Sequence, residues 1–525
     1  MKAPFDTSIL IVGAGPVGLA LALELGLRDI PCLIVEKRDG VVHLPKMSIV
    51  STRNMEFCRR WGISDTVRTS VWAKDRKLDF VYLESLLGRE LARLPIPSYA
   101  EAARNTVTPE PATHCPQIFF DPILKKRVAL QPTVSFAYNT TVESFIQDDE
   151  GVTATLLDEQ GRRRDVRVPY LVGCDGATGL VRDALGIRLE GLGVVANSVN
   201  LYFRSPELIN LHDKGWARVY RLVDEGGCWS ELIPIDGKEL WRLTMFQEPP
   251  QSPEAFLRRM FGADFPFEMI NASDWERRDF VAETYRRDRV FIMGDAAHQC
   301  SPTGGLGMST GVEEAVNLAW KLDAALKGWA GPRLLDSYTA ERRPIAVRAV
   351  ELSTRAFKAI TQIPGWHGDG DGSVDRAALD DWKSNLNRYT MPDFWKMQYT
   401  YEGSPICVSD GTPADDPEPA AFLPTSRPGA RAPHAWLADG RSVFDLFDEG
   451  FTLLSLGASP PSGEGLLAAA KSRGLPIKFC RVVEENVARV YVEPLVLVRP
   501  DGHVAWRGGA APADPFAVID HIRGA

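Results

Sequence analysis

Apolar and polar positions along this chain change period several times, and each change marks an element. Ile9-Leu10-Ile11-Val12 is an unbroken apolar run of strand length. The glycine-spaced turn Gly13-Ala14-Gly15-Pro16-Val17-Gly18 and a helical stretch to about Leu27 follow, and Cys32-Leu33-Ile34-Val35 repeats the apolar run, so the three segments predict a βαβ unit. Residues 152–157 and 165–168 alternate like strands around Glu159-Gln160-Gly161, and Tyr170-Leu171-Val172-Gly173 is a further buried run that ends in Cys174-Asp175-Gly176, with Arg182 in a helical turn closing near Gly186. The texture then becomes antiparallel: strands are predicted at 198–204, 217–223, 228–234 and 240–246, with Asp236-Gly237 as a hairpin signal between the last two. Val290-Phe291-Ile292-Met293 is again a strand, and past the glycine-rich segment 302–308 an amphipathic helix runs through Leu322. Near the C-terminus, 451–456, 487–492 and 495–499 read as strands and 465–473 as a helix, and Asp501-Gly502 marks a hairpin before His503-Val504-Ala505-Trp506.

Composition narrows the class. A chain of 525 residues exceeds one ordinary core and predicts two or three domains. Hydrophobic content of 45% with 25% charged residues describes a globular protein, and a net charge of −9 without a basic block argues against nucleic acid as a partner. The uncharged stretch 8–23 resembles a leader, but its three glycines and the preceding Asp6 favour a buried strand-turn-helix; no other segment is a membrane candidate. Eight scattered cysteines without CxxC read as reduced thiols of a cytoplasmic protein, and eight scattered histidines predict no metal site. Segments 365–372 and 410–419, rich in glycine and in proline and aspartate, read as linkers.

The chemistry lies at the ends of the apolar runs. Gly13 allows a tight turn, Gly15 lets backbone approach a pyrophosphate, Gly18 lets helix pack on strand, and Pro16 fits the first helical turn. Glu36, followed by Lys37, ends the second strand where ribose hydroxyls are bound. Far downstream, Gly294-Asp295 offers a second carboxylate at a strand end, with Gly294 lacking the side chain that would block a sugar. Pro302-Thr303-Gly304-Gly305-Leu306-Gly307-Met308 then leads into a helix N-terminus suited to an electron-rich ring edge. A plain NAD-binding domain has no use for a second dinucleotide-contacting segment at that distance, so the pair predicts FAD across a folded-back chain. Asp175 is of the type that holds an arginine or accepts a hydrogen bond from a nicotinamide or sugar, although strand-Asp-Gly alone is more often a turn. The middle strands carry Trp241, Phe246, Arg204 and Arg242, and the pocket candidates Tyr202, Arg218, Tyr220 and Trp229; any one of these is more often core or sheet surface.

Taken in order, the GxGxxG at Gly13–Gly18, the Asp175-Gly176 motif, the Gly294-Asp295 motif and the run Ser337-Tyr338-Thr339-Ala340-Glu341-Arg342-Arg343-Pro344 resemble the FAD-dependent aromatic hydroxylases, the single-component flavoprotein monooxygenases that include phenol and para-hydroxybenzoate hydroxylases. The resemblance covers about 7–360 and, more weakly, the remainder. It implies an α/β fold: a Rossmann-like FAD-binding domain from 1–185 and 280–365, an inserted antiparallel-sheet substrate domain at 186–279, a loop region at 366–420, and a thioredoxin-like domain at 421–525. That last domain lacks CxxC, which leaves it a structural or dimer-contact role in a monomer or homodimer. By the same resemblance, Gly13, Gly15 and Gly18 line the pyrophosphate, Glu36 the adenosine ribose, and Arg53 lies near the flavin. Gln117 contacts the ribityl chain, Asp295 the ribityl or pyrophosphate region, and Pro302 with Gly304, Gly305, Gly307 and Met308 the pyrimidine edge, while Asp175 serves FAD and NAD(P)H.

Three positions depart from the family pattern: Gly179 where serine is usual, Ser309 where asparagine is common, and Lys46 where arginine is frequent. The implied reaction is hydroxylation of a phenol with NADPH or NADH and O2 through a flavin C4a-hydroperoxide, in which the protein positions the substrate, excludes water and stabilises charge. No residue stands out as a base for the phenol. Baeyer–Villiger or epoxidising chemistry on a polyketide-like substrate is the alternative, and a non-catalytic nucleotide-binding protein on the same fold a further one; the Trp-x-Trp-x-Ile-Pro run of halogenases is absent.

Overall fold

A computed structural model of the chain describes residues 4–101, 106–224, 227–246, 252–361, 377, 380–382, 384, 397–416, 418–419 and 421–525. The apolar runs assemble a six-stranded sheet in the order 286–287, 290–292, 170–173, 9–12, 32–35, 134–137. Its strands are parallel except for the short edge pair Arg286–Arg287 with Val290–Ile292. Ile9–Val12 is buried at every position, as a strand covered on both faces must be. The helix Pro16–Gly26 packs on this sheet together with Gly307–Lys327, and a Cβ at Gly311 would stand 2.6 Å from Val17, so the two helices meet almost backbone to backbone. From Ser309 to Ala324 the second helix is buried at every residue; it is a central core helix and not the amphipathic surface helix its sequence suggests.

An eight-stranded sheet follows the order 298–299, 268–282, 189–204, 240–245, 227–234, 219–224, 80–83, 90–94. The antiparallel middle strands and the Asp236 turn stand where the alternation places them, with the Asp236 carboxylate accepting from Lys238, Glu239 and Leu240 N–H at 2.9 Å. Two features were not legible. Leu189–Arg204 and Glu268–Ala282 are single long ribbons of 16 and 15 residues, bulged between Glu190 and Gly193 and again between Val194 and Ala196, which carry the sheet out from the parallel-sheet core. Phe80–Leu83 and Glu90–Leu94, within the 1–185 segment, pair into this sheet as well.

The C-terminal unit is a four-stranded sheet in the order 477–482, 451–456, 495–498, 504–508, flanked by helices Glu464–Ser472 and Pro515–Ile522: the β-α-β, β-β-α arrangement of a thioredoxin-like fold. The strand expected at 487–492 is a helix, Glu485–Tyr491. Val487 and Tyr491, one helical turn apart, are its buried residues, and Val492 is 70% exposed. The strand that fills the sheet is Ile477–Val482. The glycine-rich stretch 365–372 and most of 366–396 lie outside the described residues. From Met397 to Cys407 the chain is packed, with Tyr399 and Tyr401 buried.

Candidate active site

Three turns at the strand ends of the parallel sheet converge on one cleft. At the first, Gly13 has φ +109° and its N–H donates to Val35 O at 2.8 Å; a Cβ there would stand 2.4 Å from Cys174 O, and one on Gly18 would stand 2.1 Å from Gly13 O. Only glycine satisfies those two contacts. Gly15 differs: a Cβ there meets nothing within 4 Å, so its backbone fronts open space in the manner a pyrophosphate cradle requires. The Glu36 carboxylate accepts from Ala14 N at 2.9 Å and from Arg38 N at 3.0 Å, which fixes it above the turn while leaving acceptor capacity for ribose hydroxyls. Lys37 is exposed beside it.

At the second turn, Asp175 Oδ2 accepts from Val181 N at 3.0 Å and caps the helix Leu180–Ala184. A Cβ at Gly179 would lie 2.1 Å from Asp175 Oδ1, so the glycine that replaces the usual serine makes room for an aspartate that does the capping itself. Burial pushes the Asp175 carboxyl above its ordinary range, against the Val181 N–H. Arg182 is not held by Asp175; it donates to Ala177 O at 3.1 Å and Ala296 O at 3.4 Å, tying the second turn to the third.

At the third turn, Gly294 has φ +62° and a Cβ there would press Val17 at 3.1 Å. The left-handed backbone and the packing against Val17 both favour glycine here. Its N–H donates to Glu314 Oε2 at 2.8 Å, while Glu314 Oε1 lies 3.1 Å from His298 Nε2. Burial opposes a charge on His298, but the Glu314 carboxylate outweighs it and holds the imidazolium up to about 10. Asp295 stands open to the cleft, and the surrounding protein pushes its carboxyl upward against the pull of His298 and Lys46. Gly305 N donates to Pro302 O at 3.0 Å, and the chain enters the helix at Gly307.

The cleft opens into a cavity of about 1530 Å³. Gly15, Pro16, Gln117, Asp295, Pro302, Gly305, Gly307 and Met308 line its side toward the parallel sheet, and Gln117 is oriented by Asp121, whose carboxylate accepts from Nε2 at 2.9 Å. The opposite wall is one face of the large sheet. Strand parity decides which residues reach it: Asn200, Tyr202, Val219, Arg221, Ile233, Arg242 and Thr244 line the cavity, while Leu201, Phe203, Tyr220, Leu222, Leu232, Trp241 and Leu243 pack in the core behind. Tyr202 and Arg218 also line the cavity, Arg218 from just ahead of the strand Val219–Asp224. Tyr220 does not: it lies on the core face, accepting from Ala217 N at 3.0 Å and donating to Gly215 O. Trp229 is also core, with its ring 6.4 Å from Phe256 and under Arg259 at 4.1 Å. Arg53 is displaced too. Its guanidinium turns away from the cavity, donates to Glu56 Oε2 at 2.9 Å and Asp501 O at 2.6 Å, and lies 4.5 Å over Phe57, while its neighbour Thr52 lines the cavity. Sequence reasoning missed Arg221, Glu231 and Arg277, which line the same wall.

Residues 6–353 match the family model described as an FAD binding domain, and residues 425–524 match the C-terminal domain of aromatic-ring hydroxylases. The chain belongs to the FAD-dependent aromatic-ring hydroxylases. This hydroxylase is 30% identical to the FAD-dependent monooxygenase apdD of Emericella nidulans, over 95% of the chain and 87% of that protein. It is 29% identical to a phenol 2-monooxygenase of a Pseudomonas species, over 99% and 93%. Its structure superposes on the rebeccamycin biosynthetic enzyme RebC with reduced flavin at a TM-score of 0.91, with 36% identity over 99% of this chain and 100% of that one. The cradle at Gly15, the fixed Glu36 and the open Asp295 fit FAD, the cofactor of this family. Among the described residues no helix is long and apolar enough to cross a membrane.

Proposed function

We propose that this hydroxylase introduces a hydroxyl group ortho or para to the phenolic oxygen of an aromatic substrate, using O2 and either NADH or NADPH. The observation that carries the reading is the single cavity in which the three turns of the FAD-binding core face the sheet wall. Its volume of about 1530 Å³ exceeds the roughly 300–1,000 Å³ of an ordinary ligand pocket and accommodates both a flavin ring system and a multi-ring phenol. When bound, FAD supplies the redox chemistry, accepting hydride from the nicotinamide and activating oxygen.

The chain's own residues bind and orient. Gly15 and the start of the helix Pro16–Gly26 meet the pyrophosphate, Glu36 the adenosine ribose, and Gln117 and Asp295 the ribityl hydroxyls. The N–H groups at the start of Gly307–Lys327 stabilise negative charge at the ring edge. The sheet wall, whose far face is sealed by its own core, excludes bulk water from the reacting atoms.

The test is NADH and NADPH oxidation by the purified protein, with and without a panel of one-ring and multi-ring phenols, with peroxide and product measured in the same runs. Substrate-stimulated oxidation yielding a hydroxylated product is expected. A protein that retains no flavin and oxidises neither nucleotide would overturn the proposal.

A further inference from the structure

Two thiols open on the cavity, Cys174 and Cys300. Burial pushes Cys174 well above the ordinary thiol range, and pushes Cys32, Cys115 and Cys228 up to about 12, so those sulfurs stay protonated and inert. Cys300 stands in a different setting. It is half-buried, and its Sγ lies 3.1 Å from where a Cβ on Gly307 would be. Gly307 opens the 21-residue helix Gly307–Lys327, which has no side-chain cap and no acidic residue in its first turn. The sulfur therefore meets the positive end of a long helix that its own first turn leaves unneutralised.

A second cation serves the same sulfur. The short strand His298–Gln299 alternates, so His298 and Cys300, two residues apart, lie toward one side. His298 is 1% exposed; its Nε2 lies 3.1 Å from Glu314 Oε1, while its Nδ1 has no hydrogen-bond partner among the described residues. Against burial, the Glu314 carboxylate holds the ring charged, and the Cys300 side chain is the next group to favour that charge. A buried imidazolium nitrogen without a partner is an orphan donor, and here it belongs to a ring that interacts with a thiol. Helix end and imidazolium both stabilise the negative charge that a sulfur takes on as it attacks an electrophile, and the cavity admits the electrophile.

We propose that Cys300 is a site of oxidative modification by hydrogen peroxide, and that its conversion to a sulfenic acid weakens FAD binding and so restrains the enzyme when oxygen is consumed without product. The sulfur attacks one peroxide oxygen; the S–O bond forms as the O–O bond breaks, the sulfur gives up two electrons, and the leaving hydroxide takes the thiol proton and departs as water. The Nδ1–H of His298 is the donor available to the departing oxygen. The added oxygen sits against Gly307, at the helix start that meets the cofactor's ring edge, and competes for the same N–H groups. Peroxide arises in this cavity whenever O2 takes up two electrons without transfer to a ring. Its source therefore rests on the proposed hydroxylase reading, while the modification itself does not.

The test treats the holoenzyme with hydrogen peroxide and dimedone and locates the adduct by peptide mass spectrometry. A parallel sample without dimedone is diluted, and the released FAD is read by its fluorescence. The adduct at Cys300 is expected to exceed that at any other cysteine roughly tenfold, with the Kd for FAD raised roughly fivefold and restored by dithiothreitol. Cys300→Ser and Cys300→Ala should each keep their own untreated affinity through the treatment, and His298→Asn should slow the adduct roughly fivefold. Flavin content and melting temperature verify that each variant folds. No excess of adduct at Cys300, an FAD affinity that oxidation leaves unchanged, or an equal loss in the Cys300 variants would overturn the proposal, as would an adduct rate that His298→Asn does not alter. Because the peroxide is added, selective oxidation of Cys300 in a protein that hydroxylates no phenol would sink the proposed reaction and leave this site standing.

Discussion

Gly15→Ala against Gly18→Ala separates what the fold needs from what the cofactor needs. Gly15 has φ −72° and ψ 177°, extended backbone that alanine adopts without strain, and its added methyl would meet nothing within 4 Å. The apo protein should therefore be unchanged within about 0.5 kcal/mol. The methyl would instead occupy the space through which the diphosphate reaches the backbone. Loss of one charge-assisted hydrogen bond costs about 1.5–3 kcal/mol, or roughly 10- to 150-fold in Kd for FAD. In Gly18→Ala the methyl stands 2.1 Å from Gly13 O, a backbone atom that cannot swing aside, so the helix Pro16–Gly26 must shift and stability and FAD affinity fall together. The assay is thermal melting of the apo proteins beside FAD titration by fluorescence quenching. Wild-type FAD affinity in Gly15→Ala, or an equal loss of apo stability in both variants, would refute the reasoning.

Three further outcomes are expected. Glu341, wholly buried, pairs with Lys321 at 2.7 Å and Arg499 at 2.6 Å; Glu341→Gln should cost about 3–5 kcal/mol in chemical denaturation, and a loss below about 1 kcal/mol would contradict the pairing. His298 has its folded value raised from 6.5 to about 10, so the stability from its pairing with Glu314 is complete below 6.5 and is lost as pH rises through about 10; the difference in melting temperature between wild type and Glu314→Gln should shrink over that window. Burial raises the Asp121 carboxyl from 3.8 to about 7, so its contribution is lost as pH rises across that interval, and Asp121→Asn should be the more stable protein above neutral pH, as melting curves would record.

Local rules made the parallel core and its three turns legible: each motif is contiguous, and each apolar run is buried on both faces. The long strand Glu268–Ala282 was not, because it carries Asp274 and then the unbroken charged run Glu276, Arg277, Arg278 and Asp279, and so lacks an apolar alternation. One of its faces meets solvent and the other a polar cavity, which is also why Arg277 went unnoticed. Tyr220 and Arg221 show the limit of reading a pocket from residue type. Adjacent on one strand, they face opposite sides of the sheet, and only the register tells which side is the cavity. Residues 487–492 form a short apolar run that suits either period, and the sheet slot it was expected to fill went to Ile477–Val482. Arg53 stands in its motif position, but the carbonyl it meets belongs to a residue 448 positions away.

That separation bears on how the protein is made. The helix Thr52–Arg60 forms part of the cavity through Thr52, yet Arg53 is held by Asp501 O, Arg60 by Pro500 O and Glu56 by Arg431. At synthesis rates of 5–20 residues per second, the partners of this helix leave the ribosome roughly 20–90 s after it does. Throughout that interval Glu56 lacks one of the two guanidiniums that compensate it in the finished protein. The helix that borders the cavity therefore reaches its finished set of contacts only after the C-terminal unit has been made.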